Sequence, residues 1–163
     1  NEVKGGLSTL VDGFAVAEYL RKNHKDLFKI LTETKVRFRF IDKTIILENW
    51  GELIELNENN TVKQVRYSTR LDYVPALEKN KLEKFYKARK LIANLYASKK
   101  FEIRFKLEKG DLLMMDNHRL LHGRTAYDPS EGKRYLKGCY IDHDSTEGKL
   151  RYLERKFELK WKK

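Results

Sequence analysis

The chain has 163 residues, of which 40% are hydrophobic and 12% aromatic, and its formal net charge is +11 at pH 7. This length and composition predict one globular unit with a real core, and they exclude a disordered or low-complexity tail. The single cysteine, Cys139, excludes an internal disulfide and a cysteine-based zinc site, which favours a reducing, cytoplasmic setting. The sequence has no apolar run long enough to span a bilayer, so we expect no membrane partner.

The positive charge raises the question of a nucleic-acid partner. Lysines and arginines occur along almost the whole chain and are interleaved with acids, as in residues 78–84 and 147–158. This pattern is typical of a solvated helix face. We therefore expect no nucleic-acid partner, although a non-catalytic basic module that holds anionic polymers stays open as an alternative.

The first predicted elements are a short apolar run at residues 7–11 and a helix that begins at Asp12 as N-cap and continues to Thr32. Residues 35–41 alternate strictly between apolar and basic side chains, which predicts a half-buried strand. Further elements follow in chain order: shorter strands at residues 44–47, 52–56 and 62–67, and a second helix over residues 78–98.

The C-terminal part is predicted to return to β structure, with a last helix over residues 146–156. Its predicted strands cover residues 101–107, 112–115 and 135–141. Short antiparallel strands with helical insertions favour a β-sandwich or β-helix core flanked by helices.

Residues 110–124, followed by Arg134, carry the densest group of chemically capable side chains. Imidazole is a common ligand of Fe(II), and non-haem oxygenases use two histidines and one carboxylate, which makes His122 a candidate ligand. A guanidinium such as that of Arg134 suits the far carboxylate of a dicarboxylate cosubstrate, because it donates two parallel hydrogen bonds. The turn-rich segment 125–133 would let residues 135–141 run back beside the strand that holds His122, so that both side chains face one cavity.

Several motifs in this region and upstream of it resemble those of the gamma-butyrobetaine dioxygenase and trimethyllysine dioxygenase family, relatives of taurine dioxygenase. The C-terminal motif consists of Gly-Asp-Leu at 110–112, Asp-Asn-x-Arg-x-Leu-His-Gly-Arg at 116–124 and Arg-Tyr-Leu-x-Gly-Cys-Tyr at 134–140. Three earlier landmarks occur in the family's order: Gly-Gly-x-Ser-x-x-Val-Asp-Gly-Phe at 5–14, Val-Arg-Tyr-Ser at 65–68 and Phe-Tyr-x-Ala at 85–88.

The resemblance implies that residues 1–163 are the C-terminal part of a catalytic domain that depends on Fe(II) and 2-oxoglutarate, with ascorbate as reductant. The implied fold is mainly β with helical insertions, built on a double-stranded β-helix (jelly-roll) core that is incomplete because its N-terminal part is absent. The implied reaction is hydroxylation of a small trimethylammonium carboxylate, with gamma-butyrobetaine to carnitine as first choice. Trimethyllysine or a sulfonate such as taurine is the alternative substrate, and a homodimer is the implied assembly.

By position in these motifs, the resemblance implies that His122 is the distal iron ligand and that Arg134 binds the cosubstrate carboxylate. Ser8 would contribute a hydroxyl contact to the cosubstrate. Tyr140 matches a position of the aromatic cage that holds a trimethylammonium group through cation–π attraction. Ser68 falls where the animal butyrobetaine enzyme has an asparagine that touches the substrate carboxylate.

The other two iron ligands of the family belong to a His-x-Asp motif, which the resemblance places upstream of Asn1, so we expect the chain alone to be inactive. His24 and Asp26 form a formal match, but on one helix positions i and i+2 point about 200° apart and cannot grip one ion. Residues 142–144 are predicted to be exposed turn residues, and His118 to lie beside the metal site or on the surface.

Overall fold

A computed structural model describes residues 5–133 and 135–158 of the chain. In chain order the elements are β1 Ser8–Asp12, α1 Gly13–Asn23, α2 Lys25–Glu33, β2 Lys35–Ile41, β3 Ile46–Glu52, β4 Ile54–Leu56, β5 Val62–Val65, β6 Asp72–Tyr73, α3 Lys79–Tyr96, β7 Glu102–Phe105, β8 Leu120–Arg124 and α4 His143–Lys156. A 3₁₀ turn, Pro129–Glu131, lies between β8 and α4.

The strands form three small antiparallel sheets. Their orders are β7-β1-β8, β3-β2-β6 and β4-β5. Antiparallel sheets with helices agree with the expected fold class. The strands formed by the described residues do not by themselves close a jelly roll, which stays a prediction.

The core lies between the helices α1, α2 and α3 and the strands β1, β2, β4 and β5. Its largest fully buried side chains come from α1, α2, α3, β2, β4 and the residue before β4, namely Val16, Leu20, Leu31, Val36, Leu53, Ile54, Phe85 and Ile92. Burying side chains of this size stabilises the fold by about 1.5–3 kcal/mol each. The helical spacing seen in the sequence therefore packs α1, α2 and α3 into one core.

Asp12 begins α1 as predicted. Its side chain accepts hydrogen bonds from the backbone N–H groups of Phe14 at 3.0 Å and Ala15 at 3.3 Å, which satisfies donors that a helix start leaves free. The expectation of one helix to Thr32 is wrong, because His24 adopts φ −141° and separates α1 from α2. His24 and Asp26 therefore do not lie on one helix, and the angular argument against them as a ligand pair does not apply as stated.

Two predicted strands, residues 112–115 and 135–141, are not formed. Both segments have strand-like sequence, but a strand also needs a partner whose backbone groups complete its hydrogen bonds. Residues 112–115 keep the alternation of exposed and half-buried side chains without pairing, and Leu112 is 88% exposed. His122 instead lies on a separate strand, β8.

A membrane-spanning helix would need a long apolar stretch, and none of the helices in the described ranges is long and apolar enough.

Gly13 provides a test of how the start of α1 packs against β5 and against the residue before β8. A β-carbon at this position would collide with the Val65 side chain and lie 2.8 Å from the carbonyl oxygen of Arg119. We expect Gly13→Ala to lower the free energy of unfolding by about 1–3 kcal/mol, the usual range for overpacking. Urea denaturation followed by circular dichroism measures it.

The matched control is Gly148→Ala, because Gly148 lies in α4 with no atom within 4 Å of an added β-carbon. Alanine there should stabilise the helix by up to about 1 kcal/mol. Equal stability of the Gly13→Ala variant and the wild type would contradict the described packing.

Candidate active site

His122 lies in the middle of β8, directly opposite Leu10 of β1. The neighbouring pair, Val11 and Leu121, faces the core: Val11 is 5% exposed and Leu121 packs against the buried cluster. Because side chains alternate along a strand, His122 and Leu10 occupy the opposite, outer face of the sheet. The imidazole of His122 is exposed there.

Ser8 lies on the same outer face. It is paired with Arg124, two residues beyond His122 on β8. Diagonal neighbours of this kind on adjacent antiparallel strands are typically about 7–8 Å apart. The structure thus brings together two residues that the sequence singled out for the metal and for its cosubstrate.

The end of β8 near Ser8 is fixed by hydrogen bonds beyond the strand itself. Leu7 N–H donates to Thr125 Oγ1 at 2.9 Å, and Thr125 N–H donates to the Leu7 carbonyl at 3.0 Å. Gly6 N–H donates to the Ala126 carbonyl at 3.1 Å. The Gly-Gly turn is therefore continuous with the sheet.

Arg134, the other residue predicted to bind the cosubstrate, lies outside the described residues.

The other end of β8 is fixed by an ion pair between Arg119 and Asp12, which are 107 positions apart. Arg119 Nη2 lies 2.5 Å from Asp12 Oδ2, and its Nε donates to both carboxylate oxygens at 3.2 Å. This hydrogen bond is the main cause that lowers the pKa of Asp12, with smaller help from the helix-start N–H groups and against the effect of partial burial. Gly13 N–H also donates to the Arg119 carbonyl at 3.0 Å.

Close packing of β1 against β8 explains why a glycine, Gly123, follows His122. A β-carbon on Gly123 would lie 2.9 Å from Thr9 Oγ1 on the adjacent strand. The His-Gly pair therefore reflects close approach of β1 to β8 at the position beside the candidate ligand.

The two predicted substrate residues lie in different surroundings. Ser68 stands in the loop before β6, where its Oγ accepts hydrogen bonds from the N–H groups of Arg70 at 3.3 Å and Leu71 at 3.2 Å. Tyr140 is 86% exposed and belongs to no strand. The tyrosine is therefore not enclosed with His122 in a cavity.

The residues described around His122 fit an iron site only in part. Its exposed imidazole is a suitable donor, but in ranges 5–133 and 135–158 the one group of three possible metal ligands that lie close together does not include His122. The described part of the chain thus provides one candidate iron ligand and leaves the set incomplete.

That group consists of Asp116, His118 and His143. The two imidazole rings are stacked with centroids 4.0 Å apart and planes 10° apart, and His143 Nε2 lies 3.4 Å from Asp116 Oδ1. Burial and the neighbouring His143 lower the pKa of His118. Sequence reasoning missed the cluster, because it placed His118 beside the iron site or on the surface and treated residues 142–144 as an exposed turn. These three residues are exposed, but His143 is the first residue of α4.

Asp12 has two roles that substitution can separate. Asp12→Ala removes both the helix cap and the partner of Arg119, and we expect a loss of about 1–2 kcal/mol in the free energy of unfolding, as for other N-cap residues. Asp12→Asn keeps a capping oxygen but removes the charge, so it should cost less.

The lowered pKa of Asp12 gives this difference a defined pH dependence. A carboxyl group with a depressed folded-state pKa contributes stability that is present above its ordinary pKa and is lost as pH falls through the folded-state value. Urea titrations at neutral pH and at about pH 3 should therefore show the advantage of wild type over Asp12→Asn shrinking in acid. A difference that stays constant on acidification would contradict the ion pair.

Comparison with known proteins gives one consistent result. The profile of the family described as "Taurine catabolism dioxygenase TauD, TfdA family" matches residues 1–140. Gamma-butyrobetaine dioxygenase of Pseudomonas sp. (strain AK-1) is 33% identical over 155 residues, which are 95% of this chain and 40% of that protein. Gamma-butyrobetaine dioxygenase of Homo sapiens is 34% identical over 169 residues, covering 96% of this chain and 42% of that protein.

A trimethyllysine dioxygenase of Meyerozyma guilliermondii is 31% identical over 158 residues, with 94% of this chain and 39% of that protein covered. The chain therefore spans about two fifths of the length of these relatives. The matched family agrees with the motifs around His122 and with antiparallel sheets flanked by helices. The chain belongs to the TauD/TfdA dioxygenase family.

Proposed function

We propose that this chain is the C-terminal part of a catalytic domain that hydroxylates a small trimethylammonium carboxylate with Fe(II) and 2-oxoglutarate, and that gamma-butyrobetaine, converted to carnitine, is the substrate. The observation that carries the proposal is the exposed imidazole of His122 on the outer face of β8, with Ser8 diagonal to it. Membership of a dioxygenase family and two gamma-butyrobetaine dioxygenases among the relatives support it.

In this proposal the sheet positions the ligand side chain. His122 would hold the metal through its neutral imidazole, and the ladder to β1 together with the Asp12–Arg119 pair would keep that side chain on the outer face. Activation of dioxygen is the chemistry that Fe(II) supplies when bound in such a site. The described residues would orient the imidazole of His122, but they do not provide the complete set of iron ligands.

We further propose that Arg134 and Ser8 bind the cosubstrate. Arg134 would bind the far carboxylate of 2-oxoglutarate through two parallel hydrogen bonds. The Ser8 hydroxyl would donate to the cosubstrate from β1. Bound between two such donors, the cosubstrate would be held in one orientation next to His122.

The remaining iron ligands would come from the part of the relatives' length that this chain does not span. The shares of 40% and 42% leave more than half of each gamma-butyrobetaine dioxygenase outside the match. We propose that the family's His-x-Asp motif lies there, and that this chain alone is inactive.

The proposed substrate contacts are Tyr140 and Ser68. Tyr140 would contribute a ring to a cage around the trimethylammonium group, where attraction to the ring face replaces a fixed counter-charge. The segment that carries it also exposes Tyr135, Leu136 and Ile141. Exposed apolar side chains in such number favour a segment that is covered in the complete protein. Ser68 would contact the substrate carboxylate.

We further propose that the complete enzyme is a cytoplasmic homodimer.

The first test concerns His122 and Arg134 in the complete protein that contains this chain. His122→Ala should abolish substrate-dependent decarboxylation of 2-oxoglutarate, because it removes a metal ligand. Arg134→Ala should chiefly raise KM for 2-oxoglutarate, by about tenfold or more if a charged, two-bond contact of about 1.5–3 kcal/mol is lost. Release of labelled CO2 measures both effects.

The controls for this test are His24→Ala and Lys133→Ala, a histidine at the α1–α2 junction and a lysine next to Arg134. Both should behave like wild type. Running the assay with gamma-butyrobetaine, trimethyllysine and taurine identifies the substrate. Wild-type activity in both site variants would overturn the assignment of the site.

The second test uses the 163-residue chain by itself. With His122 as the one proposed iron ligand among its described residues, the chain should bind Fe(II) weakly at this position and should release no CO2 from 2-oxoglutarate. Robust decarboxylation by the isolated chain would refute the proposed division of the ligands.

The alternative of a non-catalytic basic module predicts a different outcome. Retention on nucleic acid or another anionic polymer that falls with added salt, with no response to Fe(II) or 2-oxoglutarate, would favour that alternative.

A further inference from the structure

We propose that Asp116, His118 and His143 form a second metal site, which binds a late first-row divalent ion such as Zn²⁺ and joins α4 to the body of the domain. His122 is not a member of this site. The inference does not rest on the proposed oxygenase function, and its test can fail independently.

The donor set matches such an ion. Two imidazoles and one carboxylate are ligands of Zn²⁺, which often keeps a fourth position for water. One possible ligand atom from each residue lies within 4.8 Å of the others, and His143 Nε2 is already 3.4 Å from Asp116 Oδ1. Two donors bound to one tetrahedral ion at about 2.1 Å are themselves about 3.4 Å apart. The stacked rings direct their nitrogen lone pairs along nearly parallel planes, so the two imidazoles share an ion only after these side chains rotate out of the stack.

Two of the ligands are held in place by the body of the domain. His118 N–H donates to Asp116 Oδ1 at 2.9 Å, and Val65 N–H donates to the His118 carbonyl at 2.9 Å. Leu120 N–H donates to the Asp116 carbonyl at 2.8 Å, where β8 begins. The turn that presents Asp116 and His118 is thus fixed to β5 and β8, which reduces the ordering needed when an ion binds.

The third ligand comes from a separate element. His143 is the first residue of α4, and none of the fourteen residues of this helix, all of which the structure describes, is buried. Its ring lies parallel to that of His118 at 4.0 Å. A metal ion shared by the two rings would fix a helix that has little apolar packing of its own.

The charges around the three residues are compatible with a divalent ion. Arg66 and Arg119 are nearby cations that oppose a metal, but each is paired with a carboxylate: Arg66 Nη2 lies 2.5 Å from Glu55 Oε2, and Arg119 Nη2 lies 2.5 Å from Asp12 Oδ2. Asp116 provides the negative charge that a divalent ion needs.

The test is a Zn²⁺ titration of the metal-free 163-residue chain by isothermal calorimetry. We expect one ion per chain. His118→Ala and His143→Ala should each weaken binding by about tenfold or more, since even changes to residues that only orient metal ligands cost about this much. Circular dichroism checks that each variant is folded, and His143→Gln replaces His143→Ala if it is not.

The chain contains four histidines, and His24 is the matched control because His122 is the proposed iron ligand. His24→Ala should leave Zn²⁺ affinity unchanged. In NMR spectra the ring signals of His118 and His143 should shift with Zn²⁺, and hydrogen exchange of the α4 amides should slow, because an ion that binds the folded state stabilises it.

Three results would overturn the inference: no stoichiometric Zn²⁺ binding, binding that survives the His118→Ala and His143→Ala changes together, or binding that is lost with His122→Ala. The last result would place the ion at the proposed iron position. If the complete protein shows no oxygenase activity while Zn²⁺ still binds to Asp116, His118 and His143, only the proposed function is contradicted.

Discussion

The carboxylate of Asp12 is the constraint on which the arrangement of this domain depends. It stands where β1 ends and α1 begins, caps the helix, and binds Arg119 just before β8. One side chain thereby couples the first strand, the first core helix and the strand that carries His122. Because α1 packs into the core with α2 and α3, the position of the outer sheet face follows from the helical core beneath it.

Local sequence signals predicted most of the elements that such a core needs. The strict alternation of residues 35–41 predicted β2 with its observed bounds, Asp12 predicted the helix start, and the apolar spacing predicted α3 to within two residues at either end. These features depend on nearest neighbours along the chain: a period of two, a capping oxygen, a helical stripe. The division at His24 was missed because a short break in a helix leaves the apolar spacing on both sides intact.

Features that depend on distant partners were not predictable in the same way. Residues 112–115 and 135–141 have the composition of strands, but no signal in those residues says whether a partner strand is present. For the candidate site, motif resemblance identified His122 and Ser8, which the sheet then placed on one face, while Arg134 lies outside the described residues. Tyr140 was assigned to a strand that does not form. The Asp116, His118 and His143 cluster joins segments that no sequence motif connects, so only the folded chain reveals it.

The pairing of β8 with β1 has a consequence for how this region can vary. Sliding β8 by a single residue would exchange Leu121 and His122, turning an imidazole towards the core and a leucine towards the outer face. Both ends of β8 are fastened, by Arg119 to Asp12 and by Thr125 to Leu7. Insertions or deletions between these two points would therefore be selected against strongly, because they would shift the register that keeps His122 on the outer face.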